Sequence, residues 1–279
     1  MRKVKAEDIK NRVCEAVIEA NIKLPPDIRK ALEKAREEEE GTARKILEIL
    51  LTNADMALKE RMPLCQDTGM VVVEVKLGQE VEITGGSLKE AINEGIREGY
   101  RKGYFRASVV NDPILRKNTG DNTPGIIHME MVPGENIEII VLPKGAGSEN
   151  MGRVAMLKPL KGVEGIKEFV LQAVKEAGSN PCPPLIVGVG VGGNMEKAAY
   201  LAKKALMRPV DIRNEREDIK RLEEELLYAI NALNIGPQGL GGKTTALAVN
   251  IETYPTHIAS LPVAVNLGCH ATRRAGFVI

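Results

Sequence analysis

Residues 162–207, GVEGIKEFVLQAVKEAGSNPCPPLIVGVGVGGNMEKAAYLAKKALM, decide the fold class. Helical segments near 162–177 and 194–207 flank LIVGVGV, an apolar run of strand length, with a loop of Gly, Ser, Asn and Pro between. Further along, a helix near 215–233 and the apolar runs TALAVNIE and LPVAVNL repeat the alternation, which predicts an α/β fold. Working back, the period changes at Met70: MVVVEVKL and EVEIT read as strands, and Ser87 with Glu90 forms a capping box opening a helix to about Gly103. FRASVV, GIIHMEMV and NIEIIVL read as short strands, the last two as a hairpin through Pro133-Gly134-Glu135. This block is a mixed β-sheet region.

Residues 6–61 read as three helices. The first carries Ile9, Val13, Ala16, Val17 and Ala20 and breaks at Pro25-Pro26; the second spans about 27–39; the third follows Gly41 with Thr42 as cap. The expected organisation is an N-terminal helical segment, 1–62, followed by a mixed α/β region, 63–279, forming one compact domain with two subdomains.

The chain has 279 residues, with 39 Lys+Arg against 38 Asp+Glu, a formal charge of +1, 43% apolar and 28% charged residues. That composition is globular and supplies no overall field for nucleic acid or an anionic membrane. Three Phe, five Tyr and no Trp leave the core aliphatic. No run is long enough to span a bilayer, and MRKVKAEDIK lacks the apolar segment of a secretory signal, so a cytoplasmic location is expected. Abundant Lys, Glu and Ile with four Gln point to a heat-adapted source.

Chemistry concentrates in the loops. Of four cysteines, Cys14 sits on the apolar stripe of the first helix, as a packing thiol does. Cys65 in MPLCQDTG, Cys182 in SNPCPP and Cys269 in NLGCHA instead lie where Pro or Gly ends a regular element. Their separations, 117 and 87 residues, contain no Cys-x-x-Cys knuckle, which disfavours a local zinc site. Three thiolates from distant loops suit a cofactor assembled only on folding. A 4Fe–4S cluster normally takes four cysteines, so three leave one iron open as a Lewis acid. Spacing alone does not separate that reading from simple packing of the three thiols.

PLCQDTGM, NDPILRKNTGDNTP, KGAGSENMGR, NPCPPLIVGVGVGGNMEKAAYLAKKAL and GPQGLGGKTTALAVNIETYPTHIASLPVAVNLGCHATRRA together resemble the α subunit of two-subunit class I fumarate hydratases and the related tartrate dehydratases, from about residue 6 to 274. The resemblance implies a 4Fe–4S cluster on Cys65, Cys182 and Cys269 with one open iron site. It implies Gln66 and Asp67 facing the substrate, with Asp67 as the acid that protonates the leaving hydroxyl, a task that needs a protonated carboxyl near neutrality. Arg106 matches the carboxylate-binding arginine, suited to bidentate contact, while Gly145 and Gly147 match a glycine-rich substrate loop. His257, twelve residues before Cys269, matches an active-site histidine near the cluster.

In that family the base and further carboxylate-binding groups lie in a separate β domain or subunit, and nothing after Cys269 supplies them. The expectation is therefore a hetero-oligomer with a β subunit completing the site, and no nucleic acid or membrane partner. RRAGFVI at the C-terminus and the charged 214–225 segment are candidate partner contacts. Fumarate is the first substrate expected and L-tartrate the alternative; the sequence does not separate them, nor assign roles to His128 and His270.

Two other readings compete. Glycines in LIVGVGVGGN and GPQGLGGKTT suggest nucleotide binding, but the Walker register fails at Pro237 and no acidic residue follows the glycines at dinucleotide spacing. A zinc-binding structural subunit would use Cys65, Cys182, Cys269 and His270 as a closed four-ligand set.

Overall fold

The computed structural model describes residues 1–279. In chain order the elements are β1 (Arg2–Lys5), α1 (Ala6–Ile22), α2 (Pro26–Glu38), α3 (Gly41–Glu60), β2 (Met70–Gly78), β3 (Val81–Thr84), α4 (Leu88–Lys102), β4 (Ile126–Val132), β5 (Ile137–Lys144), α5 (Ala146–Glu149), β6 (Arg153–Leu157), α6 (Gly162–Ala177), β7 (Leu185–Gly193), α7 (Met195–Ala205), α8 (Glu217–Asn231), β8 (Ala246–Thr256), β9 (Leu261–Gly268) and β10 (Ala275–Val278). The α/β class is as expected. The chain divides into two compact units: unit one comprises Met1–Pro25, Asn53–Ala146 and Arg273–Ile279, and unit two Pro26–Thr52 and Gly147–Thr272. Residues 1–62 thus contribute to both units.

Unit one is a four-stranded sheet, β10-β5-β2-β4, with a small β1-β3 pair. Helices α1 and α4 cover the sheet, their apolar stripes meeting Val71, Val73, Val75, Ile137, Ile139 and Val141. The two helices approach closely because Gly95 and Gly99 face Val13 and Val17; a Cβ at Gly99 would stand 2.8 Å from Val17 Cγ1. Ser87 caps α4, its hydroxyl accepting from the Glu90 N–H, as the capping box predicts.

Two expectations change here. The β4–β5 hairpin does not form: β2 lies between them, parallel to β4 and antiparallel to β5. The end of β2 occupies the gap, Gly78, Gln79 and Glu80 donating N–H groups to the Asn136, Val132 and Gly134 carbonyls. FRASVV is no strand beyond one bridge, Val110 to Asn118. Asn122 Oδ1 takes the Ser108 and Val109 N–H groups at 2.7 and 3.2 Å, satisfying donors that a ladder would otherwise use. The C-terminal segment supplies β10, the edge strand of this sheet, paired antiparallel with β5.

Unit two is built on the sheet β6-β9-β7-β8. One face, through Leu185, Val187 and Val189, meets the stripes of α6 and α8. The other face is shaped by glycine: a Cβ at Gly188 would lie 2.2 Å from the Ala202 carbonyl oxygen, and one at Gly190 2.1 Å from that of Ala198. The glycines of LIVGVGVGG therefore let α7 lie directly on β7, which accounts for them without a nucleotide. No helix is long and apolar enough to cross a membrane.

Candidate active site

Register brings two of the loop cysteines to one end of the unit-two sheet. β7 starts at Leu185 beside Ala246, where parallel β8 starts, and antiparallel β9 ends with Gly268 opposite Ile186. Cys182 precedes β7 and Cys269 follows β9, so both sit at this end, with the NIGPQGLGGKTT loop that leads into β8. The loops interlock. His270 N–H donates to the Cys182 carbonyl at 3.2 Å, and Gln238 donates twice to the Pro183 carbonyl, from its backbone N–H at 2.8 Å and from Nε2 at 2.7 Å. Gln238 Nε2 also lies 3.1 Å from His270 Nδ1. Cys182 adopts φ +54°, a left-handed conformation costly for a residue with a Cβ. Its side chain is exposed, and that of Cys269 half-buried.

Unit one presents the third cysteine on a heavily bonded turn, residues 65–69, ahead of β2. The Leu64 N–H donates to Asn21 O at 2.8 Å, and Asn53 Nδ2 to Leu64 O at 3.0 Å. Tyr100, on the buried face of α4, donates its hydroxyl to Thr68 O at 2.6 Å, and Asn122 Nδ2 donates to Gly69 O at 3.0 Å. Burial pushes the Tyr100 phenol up to about 12, so it remains a neutral donor across the physiological range. Gly69, at φ +74°, passes so near Lys144 that a Cβ would lie 2.6 Å from that residue's carbonyl carbon.

Asp67 is half-buried at the centre of this turn. Its Oδ1 accepts from the Gly69 N–H at 3.1 Å, closing an Asx turn. Its Oδ2 accepts from the Ala146 N–H at 2.7 Å. Gly145 approaches the carboxyl closely without a positive φ: a Cβ there would stand 3.0 Å from Asp67 Oδ2, so the carboxyl would have to give by a few tenths of an ångström. The Arg106 carbonyl accepts from Thr68 Oγ1 at 2.7 Å, which sets Arg106 beside the turn with its side chain exposed. Unit one thus brings Cys65, Gln66, Asp67, Arg106 and Gly145 together; Gln66 is exposed. Gly147 belongs to unit two, where a Cβ would lie 3.7 Å from Asn180 O.

His257 is a correction. It lies in the exposed turn before β9, and Cys269 follows the end of that strand; β9 spans 8 residues. At ~3.3 Å per residue the two are held roughly 25 Å apart. Within this chain His257 is therefore at the opposite end of the sheet from Cys182 and Cys269, bonded through Nδ1 to the Ala259 N–H at 3.1 Å. The expectation that it stands beside them fails because the intervening dozen residues are extended, not looped.

Sequence reading also missed contributors. Arg273, four residues after Cys269 and the first of two adjacent arginines, is 2% exposed and donates to the Asp67 carbonyl; nothing in the sequence distinguishes it from Arg274. Tyr100, Asn122 and Gln238 hold the cysteine loops but give no motif of their own.

All four cysteines are outside disulfides, and Cys14 alone is fully buried, its thiol pushed upward by desolvation. Accessible loop thiols at 65, 182 and 269 are donors of the kind an iron–sulfur cluster uses, so the residues fit such a group. No group of three His, Cys, Asp or Glu side chains is placed to hold a single metal ion. Cluster thiolates bind separate iron corners and need not converge on one point.

The sequence model of the fumarate hydratase (Fumerase) family matches residues 10–278. The chain belongs to this family. It is accordingly a chain of a hydro-lyase family. Its relatives include a Methanocaldococcus jannaschii protein provisionally named L(+)-tartrate dehydratase subunit alpha, 43% identical over 274 residues and covering 96% of both chains. L(+)-tartrate dehydratase subunit alpha of Escherichia coli O157:H7 is 32% identical over 261 residues, covering 92% of this chain and 86% of that protein. The protein of the same name from Shigella sonnei is also 32% identical over 261 residues.

Proposed function

We propose that this chain, with a separate β subunit, adds or removes water across the double bond of a small dicarboxylic acid, interconverting fumarate and malate. Cys65, Cys182 and Cys269 would hold a 4Fe–4S cluster with one open site. When bound, that group supplies Lewis acidity toward a hydroxyl or carboxylate oxygen. The Arg106 guanidinium would bind a substrate carboxylate, with Gln66 and the backbone at Gly145 and Gly147 lining the reactant. Asp67, its carboxyl aimed by the Ala146 N–H, would give the proton that leaves with the hydroxyl as water. The carbon-bound proton would go to a base on the β subunit. Composition supports a cytoplasmic, heat-adapted setting.

The observation that carries this reading is the family match over residues 10–278, with Asp67 anchored two residues after a loop cysteine. The relatives' names favour a second reading, in which the substrate is L(+)-tartrate. The test is anaerobic reconstitution with the β subunit, followed by assays on fumarate and on L(+)-tartrate and by iron and sulfide analysis. About four iron per chain and turnover of one diacid are expected. A fully loaded pair that turns over neither ends the proposal, and activity of this chain alone ends its split-site part.

A further inference from the structure

Arg273 heads the fully buried side chains by volume. Its Nη2 donates to the Asp67 carbonyl and its Nε to the Pro143 carbonyl at 3.4 Å, while Nη1 is buried with no partner. Both acceptors are main-chain oxygens, and the guanidinium makes no ion pair. A buried cation in that state is poor value for stability; an apolar side chain of similar volume is often neutral or better. What the side chain does achieve is a tie between two segments. Pro143 lies near the end of β5, the strand that runs into Gly145 and Ala146, and Ala146 holds Asp67 Oδ2. The same short stretch therefore grips Asp67 twice, at its carboxyl through Ala146 and at its carbonyl through Arg273.

We infer that Arg273 is a positioning residue, fixing the backbone of Asp67 so that its carboxyl is presented to the reactant in one direction. This rests on the reading of Asp67 as the proton donor. A planar guanidinium suits the task because its Nη2 and Nε point at two carbonyls in fixed relation, which a single ammonium cannot reproduce.

The test uses Arg273→Met, Arg273→Lys, Asp67→Asn and the Asp67→Asn/Arg273→Met double variant, each reconstituted with wild-type β subunit. Arg273→Met is expected to keep iron content and Tm near wild type while kcat falls about 100-fold, the scale of a small misplacement of a reacting group. KM should move less than about threefold, since binding groups are untouched. Arg273→Lys should recover part of the loss. In the Asp67→Asn background Arg273→Met should cost no more than about twofold, because the two act as a unit. Loss of fold or iron in both Arg273 variants, a loss that tracks Tm, or full additivity in the double variant each overturns the inference. If Asp67→Asn alone runs at wild-type rate, the acid assignment falls first; if it is inactive while Arg273→Met is normal, only the positioning role falls.

Discussion

The two ends of the unit-two sheet carry residues only twelve apart in sequence, and they are built differently. At one end, the loops of Cys182, Gln238 and Cys269 are tied together through His270 and the Pro183 carbonyl. At the other, His257 occupies an exposed turn whose bonds are local, to Ala259 and Ser260. The difference shows that a short spacing in sequence carries no distance until the intervening structure is known. A strand separates its ends further than any other arrangement of the same residues.

The comparison breaks most decisively at a cysteine. Cys269→Ser is expected to abolish the reactive cluster and all turnover, whereas His257→Ala keeps full iron and sulfide; equal iron loss in the two would mean that the two ends are not functionally distinct. Next, Asp67→Asn should lower kcat by about 10²- to 10⁴-fold, the range of a lost general acid, with iron content unchanged; steady-state kinetics of the reconstituted enzyme check it. Gly190→Ala introduces a Cβ 2.1 Å from the Ala198 carbonyl oxygen. It should cost about 2–3 kcal/mol by overpacking, read as a drop in Tm, without touching either end of the sheet.

The smaller effects sharpen the contrast. Gln238→Ala removes both side-chain contacts of Nε2, to the Pro183 carbonyl and to His270 Nδ1, from the tied end and should cost about 1–2 kcal/mol, together with faster bleaching of the cluster in air. His257→Ala, by contrast, should stay within about 0.5 kcal/mol of wild type in thermal unfolding, as exposed substitutions do. A larger loss at His257 than at Gln238 would reverse the assignment of which end is structurally committed.

Legibility followed range. The capping box at Ser87, the helices α1, α4 and α6 and the strands β2, β7, β8 and β9 rest on local periodicity, and each was readable. FRASVV failed because Asn122 took its donors from fourteen residues away, and the hairpin failed because β2, fifty residues earlier in the chain, inserted itself. At the site, Asp67 and Gly145 were readable from their motifs, but the contact that joins them was not. Arg273 was read only as part of a candidate surface contact, and burial reversed that.

The residues by themselves determined the fold class, the periodic elements and which cysteines are loop thiols rather than core, because those depend on spacing within about twenty positions. Tertiary structure alone decided that Cys182 and Cys269 share a sheet end, that His257 does not, and that Arg273 reaches Asp67. Those outcomes depend on strand order and register, which are set by the competition among distant segments for the same hydrogen-bonding edges and the same apolar faces.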